Sequence, residues 1–85
     1  MTGDGIIHDK KHNRFYTVRD GLEAYVEYEI GNGALNIIHT VVPKPLSGKG
    51  IAAGLVAEAY RYADASGLEK KAECSYAAIW LKRNT

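Results

Sequence analysis

The sequence predicts an α+β domain in which one main helix and a short C-terminal helix accompany a mixed, mostly antiparallel sheet. Three observations lead to this prediction. Residues 22–30 alternate apolar and polar side chains, as in a half-buried strand. Residues 34–42 are apolar on both faces, as in a central strand. From Lys49 onward the apolar side chains recur at helical spacing. A chain of 85 residues leaves no room for a second domain, so we expect one domain over 1–85.

Two pairs of turn residues divide the first half of the chain into hairpins. Asp20-Gly21 and Asn32-Gly33 both tolerate the positive φ angles of a tight hairpin turn. They separate three stretches of strand-forming composition, and a shorter apolar pair precedes them. The strands expected from these signals are 6–7, 14–18, 22–30 and 34–42. By simple alternation, one face of the last of these strands would carry four side chains: Leu35, Ile37, His39 and Val41.

A strand–helix–strand unit is predicted for the second half. Pro43 and Pro45 end the central strand, since neither can donate a ladder hydrogen bond. The main helix should end near Gly67, which suits a left-handed C-terminal cap. Residues 69–74 then predict a strand, and residues 76–82 a short helix. Because such a crossover is right-handed, the last strand should run parallel to the central strand. The predicted sheet therefore has a parallel pair at its centre.

Charge and cysteine content exclude several classes of function. Lys and Arg number 11 against 10 Asp and Glu, which gives a net charge of +1. Nucleic-acid binding needs several phosphates neutralised together, and this excess is too small for it. Cys74 is the only cysteine, so no disulfide can form within the chain. No apolar run approaches the roughly 20 residues of a membrane span, and the first residues lack the pattern of a signal peptide. We therefore expect a cytoplasmic protein that binds neither nucleic acid nor membrane.

The loop between the central strand and the main helix contains the turn Gly48-Lys49-Gly50. Amides at a helix start lack intrahelical partners and lie at the positive end of the helix dipole. Glycines there allow a phosphate to approach the backbone, so the turn could hold a pyrophosphate. It is not a Walker loop, because Gly50 follows the lysine where Ser or Thr is required, nor a dinucleotide fingerprint, which needs glycine in place of Ala53. The alternative is a simple connecting turn.

Three separated motifs resemble those of the GNAT acetyltransferases, in particular the branch of very small, stand-alone proteins. They are Ile38-His39-Thr40-Val41-Val42-Pro43, Leu46-Ser47-Gly48-Lys49-Gly50-Ile51-Ala52, and Cys74-Ser75-Tyr76. The resemblance extends from about Arg14 to Leu81. One departure is Pro45, where the usual GNAT signature has Arg or Gln. The resemblance implies a minimal GNAT-like fold whose central parallel strands splay apart at one end.

The resemblance also implies how acetyl-CoA would bind as cosubstrate, without a metal. The pantetheine arm would lie in the splay against the end of the central strand, and the pyrophosphate would rest on the glycine turn. The cofactor-binding residues implied in this way are Thr40, Val41, Val42, Leu46, Ser47, Gly48, Lys49, Gly50, Ile51, Ala52 and Tyr76. Lys44 and Lys49 could help to neutralise the nucleotide phosphates, or they could be ordinary solvated lysines.

His39 and Cys74 are the candidates for the chemistry of acetyl transfer. An amine of the lysine type is almost fully protonated at neutral pH, so transfer calls for a base, and histidine titrates in a suitable range. The resemblance puts His39 at the splay. Cys74 precedes a predicted helix, where a thiol pKa can fall, and it could carry the acetyl group covalently. The alternatives are a core histidine, a buried apolar cysteine, and direct attack by the amine with Cys74 only lining the pocket.

Two functions are compatible with these residues. The first is an N-acetyltransferase that moves acetyl from acetyl-CoA to an amine, on a small molecule, a peptide or a protein. The second is a non-catalytic acyl-CoA-binding or interaction module on the same scaffold. His8 and His12 stand four residues apart in a polar stretch, and we expect both to be solvated and neither to bind metal.

Overall fold

The chain folds into a five-stranded sheet with two helices packed on one of its faces. The structure is a computed structural model and describes residues 5–84. Its elements, in chain order, are β1 (Ile7–Asp9), a 3-10 turn (Lys10–His12), β2 (Arg14–Arg19), β3 (Leu22–Gly31), β4 (Ala34–Val41), a second 3-10 turn (Lys44–Leu46), α1 (Ile51–Ala65), β5 (Glu69–Ala72) and α2 (Ser75–Arg83). The strands lie side by side in that order, and only β4 and β5 run parallel. The predicted α+β class, with its main and short helices, is confirmed.

The parallel pair lies at one end of the sheet, not at its centre as the sequence suggested. Within the described residues β5 pairs with β4 alone, because the chain turns from β5 into α2 instead of adding another strand. The apolar second face of β4 gave the impression of a central strand. That face is partly exposed, with Val41 40% accessible.

The core lies between the sheet and the helices. The helix α1 spans strands β2 to β5, and α2 packs beside it, so that the ring of Trp80 lies 5.7 Å from that of Tyr60. The Tyr60 hydroxyl donates to the carbonyl of Lys71 at 2.6 Å and ties α1 to β5. The buried apolar side chains are Phe15, Ala24, Val26, Tyr28, Leu35, Ile37, Leu46, Ile51, Leu55, Val56, Ala59, Tyr60, Ala63 and Ala77. Truncating one such leucine to alanine typically costs ~2–5 kcal/mol, so this layer accounts for much of the fold's stability.

A β-bulge interrupts the pairing of β3 with β4. Glu27 pairs with His39 and Tyr28 pairs with Ile37, so Ile38 is one extra residue on β4. Side chains of a strand alternate between the two faces of the sheet. One extra residue therefore reverses the alternation beyond it.

The bulge decides which side chains at the end of β4 face α1. Thr40 faces the helix, since it pairs with the buried Val26 of β3. His39 and Val41 point to the opposite face, and both are exposed. The prediction that these two residues share a face with the buried side chains before the bulge is therefore wrong.

An aromatic cluster joins β1 to the rest of the core. The His8 ring stacks on Phe15 with 3.9 Å between centroids, and its Nε2 atom lies 2.6 Å from the Tyr28 hydroxyl. Tyr62 of α1 meets the same ring edge-on at 4.5 Å. The prediction of a solvated His8 is wrong, whereas His12 is exposed. No helix within residues 5–84 is long and apolar enough to cross a membrane.

Candidate active site

The strands β4 and β5 separate at one end of the sheet. Their ladder stops at Ile37 and Ala72. The amides of Glu73 and Cys74 then both donate to the carbonyl of Ile37, at 2.9 and 3.1 Å, and are the last backbone hydrogen bonds to β4 on this side in the described residues. β4 continues for residues 38–41 with no strand on that side, while the chain turns into α2. We call this opening the β4–β5 gap. It lies at the carboxyl ends of two parallel strands, where ligands commonly bind in α/β sheets.

The loop after β4 carries a row of free amides to the start of α1. Gly48 and Gly50 have φ angles of 78° and 77°, a left-handed conformation that suits glycine. Within the described part of the chain, the amides of residues 48–53 donate no hydrogen bond to the protein. A Cβ atom at either glycine would meet no atom within 4 Å, so the space beside the turn is open. Converging free amides at the positive end of a helix dipole fit a phosphate group.

The residues predicted to bind the cofactor differ in what they can offer a ligand. Leu46 and Ile51 belong to the core, with 1% and 7% of their surface exposed, so only their backbone can touch a ligand. Val42 also packs against the core. The Ser47 hydroxyl and amide both donate to the carbonyl of Lys44, at 2.8 and 3.0 Å, so neither is free for a ligand. Thr40 and Ala52 are half-buried, and the exposed members of the predicted set are Val41, Ser47, Gly48, Lys49, Gly50 and Tyr76.

Lys44 and Lys49 are the cations closest in sequence to the free amides. Both side chains are exposed, and neither forms an ion pair with any residue between 5 and 84. They are therefore available to an anion at the start of α1.

The Cys74 thiol lies at the start of α2 and faces the end of β4. Its Sγ atom lies 3.2 Å from the Oγ1 atom of Thr40. Burial by itself would raise the pKa of the thiol, but the Thr40 hydroxyl and the amides of Ala77, Tyr76 and Thr40 stabilise the thiolate and lower the pKa on balance. These hydrogen bonds therefore favour ionisation of the thiol more than plain burial would.

The structure does not bring His39 and Cys74 into contact. The His39 ring is exposed and has no hydrogen-bond partner in residues 5–84. Because the bulge turns it away from α1, it lies on the face opposite Thr40, the partner of Cys74. The two candidates flank the end of β4 from opposite faces.

Sequence patterns did not predict the positions of two residues near this site, Thr40 and Glu27. Thr40 was expected only to contact the cofactor, and its bond to Cys74 depends on the bulge, for which the sequence carries no turn signal. Glu27 is one of the polar residues that alternate along 22–30, and only the register places it opposite His39. Across residues 5–84, no group of three or more His, Cys, Asp or Glu side chains is arranged to hold a metal.

Two comparisons with known proteins find similarity to the same group of enzymes. A family model described as GCN5-related N-acetyltransferase matches residues 14–85. The chain is also similar in fold to the NMR solution structure of a GCN5-like protein from Staphylococcus aureus, proposed to be an N-acetyltransferase. The TM-score is 0.74 and the sequence identity 30%, over 99% of this chain and 83% of that chain. Among proteins with a curated description, none matches the sequence significantly.

Proposed function

Because the chain belongs to the GCN5-related N-acetyltransferases, we propose that it transfers the acetyl group of acetyl-CoA to an amine. The observation that carries the proposal is the row of free amides over residues 48–53, which follows the unpaired end of β4 along the chain. A long, narrow ligand with an anionic centre suits the combination of the β4–β5 gap and this row of amides. Coenzyme A has that form, with a pyrophosphate beside an extended pantetheine arm.

The proposed cofactor pose uses backbone groups more than side chains. The amides of residues 48–52 would hold the pyrophosphate, with the charges of Lys44 and Lys49 nearby. Pantetheine would lie in the β4–β5 gap against residues 40–42, and Tyr76 at the start of α2 would contact it from the other side. The buried side chains of Leu46 and Ile51 would hold the loop in place from beneath.

The proposed reaction forms one carbon–nitrogen bond and breaks one carbon–sulfur bond. The neutral amine attacks the thioester carbonyl, coenzyme A leaves as a thiolate, and His39 accepts the proton that the nitrogen loses. His39 can then return that proton to the leaving thiolate. An exposed imidazole beside the gap suits this role, because it can take protons from an acceptor that arrives from solvent.

Cys74 has two candidate roles. In one, its thiolate attacks the thioester first, carries the acetyl group and is released when the amine attacks in a second step. In the other, the amine attacks acetyl-CoA directly and Cys74 only lines the gap. The lowered thiol pKa favours the covalent route, while the absence of a contact between His39 and Cys74 in the described residues favours separate roles for the two side chains.

Binding and turnover can be measured separately. Calorimetric titration with acetyl-CoA tests the cofactor site, and release of free thiol with a panel of amines tests transfer. We expect acetyl-CoA to bind, and free thiol to be released with at least one amine. Binding without release from any amine would favour the non-catalytic acyl-CoA-binding module. Absence of binding would contradict the proposal outright.

Variants of the two candidate residues separate the routes. His39→Gln should lower kcat by about 10²–10⁴-fold, the usual worth of general-base catalysis, while acetyl-CoA binding persists. If the route is covalent, intact-mass analysis should show acetylated protein after incubation with acetyl-CoA, and Cys74→Ala should abolish both the adduct and turnover. Turnover in Cys74→Ala at the parent rate, with no adduct, would assign direct attack. Parent rates in both variants would remove His39 and Cys74 from the mechanism.

We also propose that the protein acts in the cytoplasm. A lone thiol with a lowered pKa is readily oxidised, and it stays reduced best where disulfides are not favoured.

A further inference from the structure

The face of the sheet opposite the helices carries His39, and we call it the open face. The strand register places a row of three side chains across it. Arg14 of β2 is opposite Glu27 of β3, and Glu27 is opposite His39 of β4. The Cβ atoms of such direct partners lie about 4.5–5.5 Å apart. Glu27 is thus the immediate neighbour of the proposed base.

Glu27 is half-buried as a residue, and its carboxylate has no partner in the described part of the chain. Its neighbour Arg14 is engaged elsewhere, with NH1 3.7 Å from the carboxylate of Glu23 and its guanidinium 3.9 Å from the ring centroid of Tyr25. Within residues 5–84, Glu27 forms no ion pair or hydrogen bond. An unpaired carboxylate next to the proposed base is therefore available to a cation.

The groove beside Glu27 is large enough for a small amine, and one carboxylate of its wall has no partner in the described residues. Its volume is about 620 Å³. The titratable side chains that line it form two internal pairs, Asp9 hydrogen-bonded to His12 at 2.8 Å and Glu23 with Arg14 at 3.7 Å. Glu27 is the one carboxylate of the wall that these pairs leave without a partner. Tyr16 and Val18 complete the lining on the side away from His39, so the groove can hold the ammonium end of an acceptor whose chain extends across β3 toward His39.

We propose that Glu27 binds one ammonium group of a diamine acceptor, so that the enzyme selects short aliphatic diamines. This inference rests on the proposed acetyl transfer and names its substrate class. With one nitrogen held at Glu27, the other nitrogen of a short diamine lies beside His39, at the edge of the β4–β5 gap. A monoamine lacks the charge that Glu27 recognises. Glu27 touches no reacting atom and acts as a specificity-determining residue.

The test compares a short diamine with the amino alcohol of equal length, in the parent, Glu27→Gln and Glu29→Gln. Glu29→Gln is the matched control, because Glu29 lies on the same face of β3 but pairs with Asn36, farther from His39. Thiol release gives KM and kcat for each acceptor. In the parent, KM should be lower for the diamine. Glu27→Gln should raise the KM for the diamine by roughly tenfold, which is the effect of losing one charged contact. The kcat for the diamine and the KM for the amino alcohol should change little. Glu29→Gln should change neither KM by more than about twofold.

Calorimetric titration of the diamine into protein saturated with coenzyme A reports acceptor binding without turnover. If the parent binds the diamine, Glu27→Gln does not, and no amine is turned over, this inference stands and the acetyltransferase function is contradicted. Turnover with equal KM for both acceptors, or an equal effect of Glu27→Gln on both, would overturn the inference and keep the transfer reaction. The same rise in KM for Glu29→Gln would also overturn it. No binding and no turnover would overturn both.

Discussion

The Sγ atom of Cys74 lies 3.2 Å from the Oγ1 atom of Thr40, across the point where β4 and β5 part. The hydroxyl can donate to the sulfur when the thiol is ionised, and so it is one of the groups that lower the thiol pKa. Thr40→Val has nearly the same shape and removes the donor. We expect the pKa of Cys74 to rise in this variant, so the midpoint of the alkylation rate against pH should move to higher pH.

Cys74 is the only cysteine, so iodoacetamide alkylation reports on this thiol alone. Thr17→Val is the matched control, because Thr17 is buried and its Oγ1 atom has no partner in the described structure. It should leave the alkylation profile unchanged. A profile that is identical in the parent and in Thr40→Val would show that the bond to Thr40 does not affect the thiol.

The left-handed conformation of Gly50 leads to a second prediction. An alanine there is strained by about 1–2 kcal/mol, and relief of the strain would move the neighbouring amides out of line. Gly50→Ala should therefore weaken acetyl-CoA binding by roughly tenfold, the equivalent of one charge-assisted hydrogen bond. Gly33→Ala has the same kind of strain, with φ 75° and no atom within 4 Å of the new Cβ, but lies in a hairpin. It should lose similar stability in urea and bind acetyl-CoA like the parent. An equal loss of affinity in both variants would contradict a role for the glycine turn.

The half-buried His8 predicts a pH-dependent stability. Burial, and then the charge of Lys10, lower the pKa of His8 from 6.5, against a smaller opposing effect of Asp9. Between the lowered pKa and 6.5 the unfolded chain binds more protons than the folded chain, so stability falls as pH falls through this window. The contribution is fully present above about pH 6.5 and absent below the folded-state pKa.

Urea unfolding from about pH 7.5 to about pH 5 measures this effect. His8→Phe keeps a ring on Phe15 and cannot titrate, so its free energy of unfolding should vary less with pH than that of the parent. Tyr28→Phe keeps the histidine and should retain the pH dependence. An unchanged pH slope in His8→Phe would show that His8 does not contribute to the dependence.

Sequence patterns predicted the features that are set locally. At both hairpins the turn residues have the positive φ angles expected of them, 53° and 75° at Asp20-Gly21 and 54° and 75° at Asn32-Gly33. The apolar stripe of α1 faces the sheet, as its spacing indicated. A turn or an amphipathic helix depends on a few consecutive residues, so a short window of sequence contains the information.

Features that depend on distant residues could not be predicted in this way. Ile38 becomes a bulge residue because of how β4 pairs with β3, and nothing in its neighbours marks it. His8 stands among polar residues, yet its ring is stacked on Phe15, seven positions later in the chain. The site was therefore predicted as a set of residues but not as an arrangement, because alternation alone put His39 on the wrong face of β4.

The single surplus residue in β4 also constrains how this chain can change in length. Deleting Ile38 would remove the bulge and leave His39 opposite Glu27 and Thr40 opposite Val26, so both side chains would keep their present faces. Regular pairing that kept Ile38 in the ladder, opposite Glu27, would instead press the imidazole beneath α1 and display the threonine hydroxyl to solvent. The strand end therefore tolerates loss of the surplus residue but not its entry into the ladder. Swapping Ile38 for another apolar residue would keep both surfaces as they are.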